Sequence, residues 1–77
     1  MTMKSLLEIL KSIRPDVDFE NETALIDDGI LDSFDVVSII SELDDAFDVQ
    51  IRISELEPEN FNSIESIWRL VQRLKGE

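Results

Sequence analysis

The sequence predicts an all-α fold: a small antiparallel bundle of three long helices plus one short helix, with a long ordered loop between the first and second helices. Three observations lead there. Three segments repeat apolar residues at the three-and-four spacing of a helix face. No two segments alternate strongly enough to pair as strands. Glycine and proline number 2 each, too few for a hairpin-rich architecture. At 77 residues the chain supports one hydrophobic core, so residues 1–77 are read as a single domain.

The first helix is expected over Met3–Ile13, capped by Thr2. Leu6, Leu10 and Ile13 make its inner stripe, with Met3, Leu7 and Ile9 beside it and Lys4, Glu8 and Lys11 outside. Arg14-Pro15 ends it, because the residue before proline avoids the α region. Residues 15–32 have no sustained period: Asp16, Asp18, Glu20 and Glu22 alternate with single apolar residues, and Gly29 punctuates the stretch. This reads as an ordered loop anchored by Val17, Phe19, Leu25, Ile26 and Ile30. Connections of that length are usually functional.

The strongest helix spans Ser33–Phe47. Asp32 caps it, and Asp35 places a second carboxylate at the positive end of the dipole. Val36, Ile39, Ile40, Leu43 and Phe47 form the inward stripe. Asp35, Ser38, Glu42 and Asp45 are expected to point away, with Phe34, Val37 and Ser41 on a flank between. Val49, Ile51 and Ile53 then alternate with polar residues, which predicts a short extended segment laid on the bundle. Glu57–Phe61 reads as one helical turn with Pro58 at its first position. The last helix is expected over Ile64–Lys75, with Asn62 and Glu65 at capping-box spacing and Ser63 as a competing cap. Its apolar face is Ile64, Ile67, Trp68, Val71 and Leu74. Trp68, Phe19, Phe47 and Phe61 are expected in or beside the core.

Composition narrows the function. Cysteine and histidine both number 0, which removes thiolate metal sites, the usual neutral-pH base and the commonest zinc ligand. No metal site is expected. Asp27-Asp28-Gly29 fails as a calcium loop, because Ala24 and Asp35 occupy the positions of its first and last acidic ligands. Serine catalysis needs a base; Ser5 or Ser12 beside Lys4 or Lys11 lies on one exposed helix with no pocket implied. No catalytic residue is therefore assigned. The net charge of −11 disfavours nucleic acid and anionic membrane surfaces. Neither a secretory leader nor a membrane-length apolar run is evident, so the expectation is a cytoplasmic monomer. No basic residue lies between Arg14 and Arg52, while carboxylates run from Asp16 to Asp48. The negative field is thus concentrated on the loop and central helix, where a basic partner would relieve it.

The remaining distinctive segment is Gly29-Ile30-Leu31-Asp32-Ser33-Phe34. If Asp32 takes the cap, Ser33 falls at the first helical position with its hydroxyl spare. A phosphate attached there would sit near unpaired backbone N–H groups.

Over nearly its whole length the sequence resembles the acyl carrier and peptidyl carrier protein family. The resemblance is strongest over Leu25–Asp35 and the acidic helix through Glu42-Leu43-Asp44-Asp45-Ala46-Phe47. It implies a non-catalytic carrier subunit with 4′-phosphopantetheine, derived from coenzyme A, attached covalently to Ser33. An acyl or aminoacyl group would be held there as a thioester, in fatty acid, polyketide or nonribosomal peptide biosynthesis. It further implies a partner-binding surface made of Asp32, Phe34, Asp35, Val37, Ser41, Asp44, Asp45 and Ile51. The implied partners are a phosphopantetheinyl transferase, an adenylating or acyl-activating enzyme, and an acyltransferase, ketosynthase or condensation-type enzyme. Phe34 stands where leucine is commoner, and Ser38 and Ser41 occupy positions often acidic and apolar in fatty-acid carriers. Together with Phe47–Ile51 and Glu59–Ser63, these features more closely resemble discrete carriers for amino acids or specialised acyl chains, D-alanyl carrier proteins among them. The alternative is a non-enzymatic acidic adaptor that shares the fold, since fold alone does not fix function.

Overall fold

Each of the three long helices begins where a side chain takes up a backbone N–H that the helix itself leaves unpaired. The structure, a computed structural model, describes residues 2–76. Helix α1 (Met3–Ile13) starts at Thr2, whose hydroxyl accepts the Ser5 N–H. Helix α2 (Ser33–Phe47) starts at Asp32 with a reciprocal capping box: Asp32 Oδ1 accepts the Asp35 N–H at 2.9 Å, and Asp35 Oδ2 accepts the Asp32 N–H at 3.2 Å. Helix α3 (Pro58–Phe61) is one turn opened by proline. Helix α4 (Ile64–Leu74) is capped by Ser63, which accepts the Ser66 N–H at 3.1 Å, so Ser63 prevails over Asn62. The far end of α2 turns at Asp48, in the left-handed region with φ 54°, and Lys75 Nζ donates to Phe47 O at 2.8 Å.

Helix α1 packs on α2 and α4, and α3 packs on α4, within an envelope of 29 × 25 × 19 Å. Leu6, Leu10, Ile39, Leu43, Ile67, Leu70 and Val71 are fully buried between the long helices. Each large aliphatic removed from water contributes about 1.5–3 kcal/mol. Phe47 meets Trp68 edge to face with ring centroids 6.0 Å apart, and Trp68 is half-buried. The loop supplies Val17, Phe19, Leu25 and Leu31 to the same core. It is ordered by turns, among them Glu22 N to Asp18 O at 3.0 Å and Asp28 N to Ala24 O at 2.8 Å. Among the described residues there is no strand, and no helix is long and apolar enough to cross a membrane.

Five expectations are corrected by the structure. Leu70 is fully buried although the apolar pattern passed over it. Ile53 is 87% exposed, because residues Ile53–Glu55 close a 3-10 turn that breaks the alternation begun at Val49. Asp35 points into the molecule, not away, with its side chain 14% exposed. Within the loop, Leu31 reaches the core although it was not among the expected anchors, while Ile26 and Ile30 pack against the core half-buried, as expected. Helix α4 stops at Leu74, with Lys75 as its C-cap.

Candidate functional site

Ser33 is the first residue of α2 and is exposed. The helix gives its first N–H groups no acceptor of its own. The Asp35 N–H goes to Asp32 Oδ1 and the Val36 N–H to Asp32 O. The Ser33 hydroxyl is not the cap, and its N–H and that of Phe34 have no acceptor within the helix. A phosphate ester on Ser33 would therefore lie against a positive helix end. Ser33 borders a shallow, open depression of about 510 Å³ lined by Asp32, Gly29 and the apolar side chains of Ile26, Leu31, Val36, Val37 and Leu56. Ile26, Val36 and Leu56 also line an adjoining cleft that runs towards Pro58 and Phe61. An exposed hydroxyl, a helix N-terminus and an apolar trough beside it fit a phosphodiester-linked arm.

The segment leading to Ser33 is fixed from two sides. Leu31 N donates to Leu25 O at 2.9 Å and closes residues 25–31 into a compact loop. Gly29 sits in it at φ 70°, where a side chain would be strained. Asn62, at the α3–α4 junction, holds that loop from one side. Its Oδ1 accepts the N–H groups of Ile26 and Asp27 at 3.0 and 3.1 Å, its Nδ2 donates to Asp27 Oδ2, and its backbone carbonyl accepts the Leu25 N–H. Arg14, the C-cap of α1, holds it from the other. The Arg14 guanidinium donates to both oxygens of Asp16, to Ile30 O at 3.1 Å and to Asp35 Oδ2. Those hydrogen bonds, first with Asp16 and then with Asp35, raise the Arg14 pKa. The guanidinium in turn holds the Asp16 carboxyl below its ordinary value. Sequence reasoning assigned neither Arg14 nor Asn62 to the site. The signal available for Arg14 was its place as the last cation before a long basic-free stretch.

The residues assigned to a partner surface separate into two groups. Phe34 and Val37 are 84% and 64% exposed, and Ser41 and Asp45 continue their stripe along α2 at helical spacing. Asp32 is exposed at the cap. Asp35, Asp44 and Ile51 are differently placed. Asp35 is engaged by Arg14. Half-buried Asp44 accepts the Ile51 N–H at 3.0 Å on Oδ1. Ile51 is itself a core residue, 8% exposed, so it presents little to a partner.

No family model matches the chain. Curated relatives do. The D-alanyl carrier protein of Lactococcus lactis subsp. lactis (strain IL1403) is 38% identical over 64 residues, covering 83% of this chain and 76% of the relative. That of Streptococcus sanguinis (strain SK36) is 31% identical over 72 residues, covering 92% and 91%. This chain belongs to the D-alanyl carrier protein family. The D-alanyl carrier protein of Streptococcus uberis (strain ATCC BAA-854 / 0140J) is similar as well, 35% identical over 61 residues with 79% and 77% covered. The chain is thus a carrier protein, and its helical bundle is one that suits a carrier.

Proposed function

We propose that this carrier holds an aminoacyl or acyl group as a thioester on a 4′-phosphopantetheine arm attached to Ser33, and presents it to partner enzymes. D-alanine is the first cargo to test, on the strength of the relatives' names. The observation that carries the reading is the division of labour at the start of α2. Asp32 does the capping, and Ser33 stands exposed beside it with its hydroxyl spare. The arm would supply the thiol that a chain without cysteine lacks. The protein's own residues do the rest. In loading, Ser33 Oγ would attack the pantetheine-bearing phosphorus of coenzyme A, the pyrophosphate P–O bond would break to release adenosine 3′,5′-bisphosphate, and the hydroxyl proton would pass to a base of the transferase. The first turn of α2 favours the phosphate's charge. Phe34, Val37 and Asp45 offer a small apolar contact beside negative charge, which suits brief docking to a basic partner.

Intact-mass measurement after incubation with coenzyme A and a broad-specificity phosphopantetheinyl transferase tests the reading. The wild type is expected to gain roughly 340 Da, the mass of the arm, and Ser33→Ala to gain nothing. An unmodified wild type would refute it in favour of the acidic adaptor, and an equal gain on Ser33→Ala would refute Ser33 as the attachment site.

A further inference from the structure

We propose that Arg14 is a positioning residue for the attachment serine. The inference rests on the reading above, and it concerns how Ser33 is aimed. The guanidinium donates to Ile30 O and to Asp35 Oδ2, which flank the four-residue segment Leu31–Phe34 on its two sides. It therefore staples the ends of the segment that carries Ser33. Asp16 holds the guanidinium plane with hydrogen bonds of 3.0 and 2.9 Å, to Nε and Nη2, leaving Nη1 to bridge Ile30 and Asp35. Asp35 Oδ2 also accepts the Asp32 N–H, so one oxygen joins the staple to the capping box. The Arg14 side chain is 29% exposed and that of Asp35 14%, a geometry shielded enough to be fixed.

The staple has a second consequence. Asp35 lies two residues beyond Ser33, and an unpaired carboxylate there would repel an incoming phosphate. Arg14, which Asp35 shares with Asp16, offsets part of that charge and turns Asp35 inward, away from the surface seen by a partner. Lysine keeps the charge but is a point donor without the fork, so it cannot hold Asp16, Ile30 and Asp35 in one plane.

Steady-state loading by a phosphopantetheinyl transferase, with the full chain as varied substrate, tests the proposal on Arg14→Lys and Arg14→Ala. A change that merely lowered the folded fraction would lower the effective carrier concentration. It would raise the apparent KM and leave kcat at saturation intact. Mis-aiming Ser33 in the docked complex instead lowers kcat. The expected result is a kcat reduced about threefold in Arg14→Lys and about tenfold in Arg14→Ala, with KM within about twofold of wild type. If Arg14→Ala does not fold, Arg14→Lys decides. A wild-type kcat in Arg14→Lys overturns the proposal, whether or not KM rises.

Amide exchange gives a readout that needs no transferase. Arg14→Lys is expected to quicken exchange at Asp35 and Val36 about tenfold while leaving Leu70 unchanged. Equal exchange overturns the staple. Failure of the wild type to load at all sinks the proposed arm on Ser33, and exchange then still decides whether Arg14 fixes this segment.

Discussion

At Asp32 and Ser33, two neighbouring polar residues divide one task that either could perform. Asp32 accepts the Asp35 N–H, and Ser33 is left exposed beside it. The same scale explains why Asp16 matters although it is exposed. Its folded-state pKa is depressed by Arg14, so its contribution to stability is present above the ordinary aspartate value of about 3.9 and is lost as pH falls through the folded value. Asp16→Asn should therefore melt slightly below wild type at pH 7, and the gap should close below about pH 4. Thermal melts of both proteins across that range check the sign; a gap that widens on acidification would contradict it. Asp32 and Ser33 were legible in the sequence because capping is a local chemistry. Arg14 to Asp35 was not, because that contact spans 21 residues.

At the scale of elements, periodicity located the helices well and their inner faces less well. Met3–Ile13, Ser33–Phe47 and Pro58–Phe61 have the bounds that caps and prolines predict. Leu70 follows Ile67 by three residues and belongs to the same single stripe. The buried set is Ile64, Ile67, Leu70 and Val71, so the face is turned towards Leu70 and away from half-buried Trp68, on which the apolar pattern had been centred. Leu70→Ala should cost about 2–5 kcal/mol, a large fraction of the roughly 4–12 kcal/mol that a chain of this length holds. Urea unfolding should show the midpoint falling with little change in slope. A loss below about 1 kcal/mol would mean that the site is less tightly packed than its burial indicates. The 3-10 turn at Ile53–Glu55 escaped detection for another reason. Alternating residues satisfy a strand pattern whether or not a partner strand exists, and here Glu55 N and Leu56 N bond back to Arg52 O and Ile53 O.

For the molecule as a whole, charge decides more about encounter than about folding. The net charge is −11, with the cations concentrated near the two ends of the chain. Loading by a basic partner should slow as salt rises, and Asp45→Lys should both slow it and flatten that dependence. Far-UV circular dichroism should be unchanged, since one exposed charge contributes at most about 1 kcal/mol to stability. Loading rates at several ionic strengths check this; identical salt slopes for the two proteins would exclude steering by Asp45. Asp44 is the wrong position for the experiment, because Asp44→Lys would also remove the acceptor of the Ile51 N–H.

By itself the sequence determined the helical class, the helix starts and the identity of the spare hydroxyl. All three rest on interactions within a few residues: periodic burial, capping and the restriction before proline. Only the tertiary structure decided which acidic residues are exposed and which groups from elsewhere in the chain bond to residues 25–35. Arg14 and Asn62 come from the end of α1 and the α3–α4 junction, and they meet residues 25–35 only when the helices pack. A hydrogen bond across the fold leaves no period in the chain, because it depends on the direction of two elements and not on the spacing within either.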